Sequence, residues 1–575
     1  MGKFLLGVLV GLLFAALACV IIVLAVAKLA ASKQAPAVAS NSVLVVSLEG
    51  DFPEVAPVEL PLPFLEQQSP VTVRDYWSSL RYAATDKRIK AIVIRPRGLT
   101  AGWAKIEELR AGLANFKSSG KPVYAMLEGS GAHEYYVASV ADRIYASPDD
   151  VLDVKGFRVE AMYLKGTLDK IGVNFEGDHI GRYKDAFDMF TRKDMSPETR
   201  EVFNGVLDQL YGDFCTTVAA GRKRTPDDVR TIVDQGPFTA EKAKDAGLVD
   251  VLGYEDQLYS QLESQLGVKD TARVSLRTYS HAIPYRGDHI ALLAAEGDIL
   301  RGHSDDLFGG AQLIASENMA QTIRQLRKDK TVKGVIFRVD SPGGDAVASD
   351  EILHEMKLLS AEKPLVISMS DYAASGGYFI SMTGDQIVAY PNTITGSIGV
   401  IYGKFTLKDL YNKLGIEKEI LQRGKFADID SDYHTMSDAA KEKLHEGIVS
   451  TYHSFVSKVA EARKKSYDQI DPIAQGRVWM GTQAKENGLV DELGGLDKAV
   501  ALIRKRAKLP PDGDVTLIAY PQRRSFFEIL TSTNTDQAMD AAAERKIQQT
   551  LGFLPSKALM EGGILTLMPY QISVR

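Results

Sequence analysis

A chain of 575 residues, 45% hydrophobic and 25% charged, is long enough for two or three domains around a large core. A formal net charge of −6, with no basic stripe carrying interleaved aromatics, excludes an electrostatic nucleic-acid binder. Two cysteines, Cys19 and Cys215, exclude a disulfide framework, and Cys215 is expected to pack as a small core residue.

In chain order, residues 4–27 form an uncharged apolar run between Lys3 and Lys28. At about 1.5 Å per residue such a run crosses a hydrocarbon core of roughly 30 Å, and it exceeds the apolar stretch of a cleaved signal peptide. An uncleaved transmembrane anchor is expected there. Ala16-Leu17-Ala18-Cys19 is a weak lipidation signal, since the apolar run continues to Ala27. Flanking lysines on both sides leave the orientation open. Residues 28–42, rich in Ala and Ser, read as a flexible tether.

Two tandem units follow, 43–267 and 289–504, joined by a connector at 268–288 and followed by an extension at 505–575. Each unit alternates short β-branched runs with helical patterns. In the second, strands are expected at 332–339, 364–368 and 386–389, with helices at 348–359 and from 376 to 383. That alternation argues for an α/β fold with mostly parallel pairing. The apolar ending at 564–568 is expected to dock as an extra strand or helix.

The two units are copies at an offset of about 242 residues. Phe238-Thr239-Ala240-Glu241-Lys242-Ala243-Lys244-Asp245-Ala246-Gly247-Leu248-Val249-Asp250 aligns with Trp479-Met480-Gly481-Thr482-Gln483-Ala484-Lys485-Glu486-Asn487-Gly488-Leu489-Val490-Asp491. The differences between copies are informative. With Tyr135 and Asp142 set against Tyr378 and Asp385, Ser375 faces Ala132. With Gly181-Arg182-Tyr183-Lys184-Asp185 set against Gly424-Lys425-Phe426-Ala427-Asp428, Lys184 faces Ala427. One active site that draws Ser375 from one copy and Lys184 from the other explains both losses.

Ser375 precedes Gly376-Gly377 and an apolar helical stretch, which places its hydroxyl at a helix N-terminus that favours developing negative charge. Asp340-Ser341-Pro342-Gly343-Gly344 closes a buried strand, and paired glycines let backbone N–H groups turn inward as an oxyanion hole requires. The first copy replaces these with Arg95-Pro96-Arg97-Gly98 and Ala132-His133-Glu134, so nucleophile and glycines are kept or lost together. A serine needs a base. No histidine stands in a metal-ligand spacing, no metal or cofactor is implied, and His133 lies in the copy without the serine. A lysine with a pKa of about 10.4 is neutral only about once in 2,500 at pH 7, and burial can lower that pKa by up to ~3–5 units. Lys184 is one candidate base. Lys425, in the serine's own half, is its rival.

These motifs, together with Thr395-Gly396-Ser397-Ile398-Gly399-Val400 and Tyr183-Lys184-Asp185-Ala186, resemble the signal peptide peptidase A family in its long, two-repeat form. The resemblance covers nearly the whole chain. It implies two crotonase/Clp-like α/β repeats behind one N-terminal transmembrane helix, and a serine endopeptidase with a Ser–Lys dyad. It implies Ser375 as nucleophile, Lys184 as general base, and Ser397 as the residue that orients the lysine. The oxyanion hole would come from Gly343, Gly344 and Gly376. It further implies apolar signal-peptide remnants as substrates and a homotetramer on the bacterial inner membrane, with its catalytic part facing the periplasm. Two rival readings are a crotonase-like acyl-thioester enzyme, which would normally use a carboxylate, and a catalytically silent membrane scaffold. The scaffold leaves the reciprocal losses unexplained.

Overall fold

The structure, a computed structural model, describes residues 38–56, 70–304, 313–511, 513–521, 564–568 and 574, with isolated positions between 11 and 20. The expected anchor at 4–27 therefore lies almost entirely outside the described residues. Among the described residues no helix is long and apolar enough to cross a membrane.

Each repeat is built on a parallel six-strand run in the same order. In the first, the order is Val251–Leu252, Arg143–Ala146, Val123–Leu127, Ile89–Leu99, Ser42–Gly50 and Ala272–Ser275. In the second it is Glu492–Leu493, Ile387–Ala389, Leu365–Ala374, Val332–Ser341, Asp288–Glu296 and Val515–Tyr520, with Ile394–Gly396 and Val478–Met480 branching from Leu365–Ala374. Both faces of these strands are covered. Ala91, Ile92, Val93 and Ile94 are all fully buried, as are Val335, Ile336 and Phe337, which is why such runs are continuously apolar rather than alternating. The terminal strands Ala272–Ser275 and Val515–Tyr520 hold equivalent edges. Sheet membership thus extends into the segments that the sequence reads as connector and extension.

The most visible repeated residues are scaffold. Tyr135 Oη donates to Leu248 O and Tyr378 Oη to Leu489 O, each at 2.9 Å. Arg222 and Arg463, in the last turns of the 26-residue helices Pro197–Arg222 and Asp438–Arg463, pair with Asp250 and Asp491. Ser196 and Ser437 cap those helices by accepting from the Thr199 and Ala440 amides, leaving fewer orphan donors.

A third sheet joins the repeats. Its order is Leu313–Ala315, Asp298–Leu300, Gly343–Asp345, Ile564–Leu567, Val400–Thr406 and Asn174–Ile180. Asn174–Ile180, from the first repeat, pairs antiparallel with Val400–Thr406 of the second, from Ile180 opposite Val400 to Asn174 opposite Thr406. This pairing carries the following turn, with Lys184, into the second repeat. The repeats are also locked by a buried ionic cluster: Arg338, with no exposure, donates to Glu54 at 2.9 Å and Glu108 at 2.5 Å, both from the first repeat.

Candidate active site

Ser375 follows the strand Leu365–Ala374, which runs six residues beyond the expected end at 368 because Ile394–Gly396 pairs with its last three residues. The chain then reverses into a helix of only four residues, Gly376–Phe379, shorter than the expected 376–383. Ser375 sits at φ +53°, ψ −112°, a conformation that costs a non-glycine residue of order 1–3 kcal/mol. Its own amide, donating to Gly396 O at 2.8 Å, helps to hold it there. Glycines follow because space is short. A Cβ on Gly377 would lie 2.5 Å from Ser341 O, and one on Gly376 would lie 2.9 Å from both Ser349 Oγ and Thr566 Oγ1.

Lys184 leaves the end of Asn174–Ile180 through Gly181 at φ +119°. The Tyr183 amide donates to Gln475 O at 2.8 Å, pinning the turn to the second repeat. The lysine is fully buried, and its Nζ lies 2.8 Å from Ser375 Oγ, 2.8 Å from Ser397 O and 2.9 Å from Ser397 Oγ. Burial pushes its pKa well below the ordinary 10.5, opposed in part by the charge of Asp185. These three contacts suit both protonation states. An ammonium has three donors for three acceptors; a neutral amine donates twice to Ser397 and offers its lone pair to the Ser375 hydroxyl. Ser397 is also buried at positive φ, +50°, with its amide donating to Arg477 O at 2.7 Å.

The structure thus brings Ser375, Lys184 and Ser397 together and leaves Lys425 outside, exposed, with its Nζ 5.0 Å from the Phe426 ring centroid. Gly343 and Gly344 lie in the short strand Gly343–Asp345 beside Gly376, both at positive φ. A Cβ on Gly343 would lie 2.7 Å from the Gly376 nitrogen. The Gly343 amide donates to Ser341 Oγ at 3.2 Å, the long end of the hydrogen-bond range.

Sequence reasoning missed two parts of this site. Gly476, at φ +73°, lets the chain pass under the lysine; a Cβ there would sit 2.5 Å from Lys184 Cβ. The other is the strand Ile564–Leu567, an expected dock without an expected place. It lies antiparallel between Gly343–Asp345 and Val400–Thr406, with Leu567 opposite Gly343, and Met568 N donates to Pro342 O at 2.8 Å. Leu565 and Leu567 share an apolar cluster with Ala186, Phe187, Phe190, Leu300 and Ile401, drawn from both repeats.

A serine in strained backbone, hydrogen-bonded to a buried lysine beside two glycines at positive φ, is equipped for nucleophilic catalysis with an amine as base. The family model of "Peptidase family S49" matches residues 115–269 and again 357–510, once in each repeat. "Serine protease SPPA, chloroplastic" of Arabidopsis thaliana is 37% identical over 76% of this chain and 66% of its own length. "Protease 4" of Salmonella typhi is 36% identical over 76% of this chain and 72% of its own. A "Putative signal peptide peptidase SppA" of Enterococcus faecium is 36% identical over 41% of this chain and 68% of its own. Among solved structures, "ClpP1 from Listeria monocytogenes" matches 36% of this chain and 91% of its own at 17% identity, with a TM-score of 0.22, too weak a likeness to carry a functional reading. The chain belongs to peptidase family S49, with the family's pattern present twice. It is a serine peptidase.

Proposed function

We propose that the peptidase acts through a Ser375–Lys184 dyad shared by the two repeats, on extended apolar peptides of the signal-peptide type. The observation that carries this reading is the buried Lys184 Nζ at 2.8 Å from Ser375 Oγ. Ser375 Oγ attacks the scissile carbonyl while Lys184 takes its proton. The oxyanion develops against the backbone N–H groups of the Gly343–Gly344 turn and Gly376. Collapse expels the amine, which takes the proton back from Lys184, and water then hydrolyses the acyl-enzyme by the same route. Ser397 holds the amine throughout.

The channel of the Ile564–Leu567 strand supports an extended peptide substrate. It offers main-chain pairing on both sides and an apolar pocket for alternate side chains, the general logic of strand addition. A peptide replacing that strand would pass directly beside Ser375. A reaction at the bacterial inner membrane, with the catalytic repeats on the periplasmic side, is supported by the relative named for signal peptides and by the apolar run at 4–27 as an anchor.

A homo-oligomer, a tetramer by family resemblance, completes the proposal. Gly415 aligns with Gly172, and both cap helices at positive φ. The second-repeat counterpart of Asn174–Ile180 therefore falls near 417–423, where the chain belongs to no strand and Leu421 is 89% exposed. The counterpart of Val400–Thr406 falls near 157–163. Pairing these two edges between copies repeats the joint already made within one chain and closes a ring.

The test is hydrolysis of an apolar signal-peptide fragment by the full chain in detergent. Wild type and Lys425→Ala are expected to cleave it; Ser375→Ala and Lys184→Ala are expected to be inactive while folded. Activity retained in Lys184→Ala defeats the shared dyad.

A further inference from the structure

A second lysine crosses from the first repeat to the catalytic face of the other. Lys105, near the start of the helix Trp103–Lys117, is 2% exposed, and its Nζ lies 2.8 Å from Asp340 Oδ2. Asp51 and Glu296 stand farther off, at 3.5 and 3.6 Å. Burial disfavours the ammonium, but Asp340, Asp51, Asp371 and Glu54 outweigh it and hold Lys105 charged. The helix itself is anchored by the second repeat. Asp371, four positions before Ser375, accepts from the amides of Gly102 at 2.9 Å and Lys105 at 2.8 Å, doing for Gly102 what a side-chain cap would.

Asp340 is the residue from which the glycine turn springs. Its Oδ1 accepts from the Tyr372 amide at 2.9 Å, and its carbonyl accepts from Gly297 N at 2.9 Å. The next residue, Ser341, donates to Gly297 O at 2.6 Å and accepts from the Gly343 amide. One carboxylate therefore ties together the foot of the Gly343–Gly344 turn and the strand that delivers Ser375. The only cation within ion-pairing distance of it, among the described residues, comes from the other repeat. The copies diverge here as at the dyad. By position in matching elements, Ala348 takes the place of Lys105 and Arg97 that of Asp340. Locking the repeats together does not need this lysine, because Arg338 already binds Glu54 and Glu108 across the joint.

We propose that Lys105 is a positioning residue, which sets the second repeat's oxyanion turn through Asp340. The proposal rests on the serine-peptidase reading above. Without the ammonium, Asp340, Glu296 and Asp371 face one another in a buried site, and the turn loses the anchor that aims its amides. Small misplacements of catalytic donors cost on the order of a hundredfold in rate.

The experiment measures kcat and KM on an apolar peptide for the full chain, with active sites titrated and folding followed by circular dichroism. Lys105→Met and Asp340→Asn are each expected to lower kcat by about tenfold to a hundredfold with KM nearly unchanged. Their combination is expected to fall no further than the worse single variant, because both act on one element. A wild-type kcat per titrated site in Lys105→Met overturns the proposal, as do losses that multiply in the double variant. Should Lys105→Met not fold, a wild-type kcat in folded Asp340→Asn overturns it equally. Ser375→Ala in the same assay separates the two levels. If that variant stays active, the dyad itself falls; if it is dead, a wild-type Lys105→Met removes only the positioning role.

Discussion

At the top of the third parallel strand in each repeat the chain turns into a short helix, and the two turns have opposite fates. In the second repeat, Ser375-Gly376-Gly377 packs closely beside the Gly343–Gly344 turn, where a Cβ on Gly376 or Gly377 would lie within 3 Å of a neighbouring atom. In the first, Ala132-His133-Glu134 fills the equivalent space. Glu134 accepts from the Leu99 amide at 2.6 Å and the Gly131 amide at 2.9 Å, tying the helix start to the end of the neighbouring strand. His133 packs against Trp103, ring centroids 4.4 Å apart, and burial lowers its pKa. The same backbone plan is therefore packed in two ways according to three residues. In the second repeat glycines let the turn pack closely; in the first a glutamate clamps it.

The largest expected effect comes from removing the proposed chemistry. Ser375→Ala or Lys184→Met should lower kcat by roughly 10⁴-fold or more, measured by peptide hydrolysis with the folded fraction checked. Restoring a serine in the other copy should not recover it. Ala132→Ser in the Ser375→Ala background is expected to stay inactive, because Ala427 stands where the other copy would have to supply its lysine. Measurable serine-dependent turnover in that variant would break the contrast between the turns.

Ser397→Ala removes one of the two Ser397 contacts to the lysine, leaving the carbonyl at 2.8 Å. A kcat loss of about tenfold to a hundredfold is expected, with KM little changed. The pH response follows from burial of Lys184, whose pKa is driven down from 10.5. Activity should rise with pH as the amine loses its proton, with a midpoint well below that of a free lysine. Stability should move in the same direction. Between the folded pKa and about 10.5 the unfolded chain holds a proton that the native chain lacks, so unfolding free energy increases with pH across that window. Urea denaturation at several pH values should show this slope in wild type and lose it in Lys184→Met.

The smallest effect sharpens the comparison from the other side. Glu134→Gln keeps one acceptor but loses its charge and one of its two amide bonds. A stability loss of about 1–3 kcal/mol is expected in thermal or urea unfolding, with peptide cleavage unchanged. A clear fall in kcat would mean that the first repeat's turn acts on the site after all.

Much was written in the residues themselves. The repeat, the alternation of strands and helices, and the reciprocal exchange of Ser375 for Ala132 and Lys184 for Ala427 are local comparisons that need no coordinates. So is the choice of glycine around the serine, because a turn too crowded for a Cβ at Gly376 and Gly377 leaves a recognisable motif. The backbone strain at Ser375 and Ser397 has no such signal, since serine is common in ordinary turns. The sequence also left Lys184 and Lys425 only two alignment positions apart. The structure separates them, since one is buried at 2.8 Å from Ser375 Oγ and the other is exposed.

Tertiary structure alone decided the contacts that link distant parts of the chain. Lys184 meets Ser375 across 191 positions, and Lys105 meets Asp340 only because a helix of one repeat packs against a strand end of the other. Ile564–Leu567 finds its slot because two strand edges left open by the repeats need main-chain partners. Periodicity reports which face of an element is apolar, and a motif reports which chemistry is available. Neither encodes which buried charge will stand opposite which, because that is settled by the packing of whole repeats against each other.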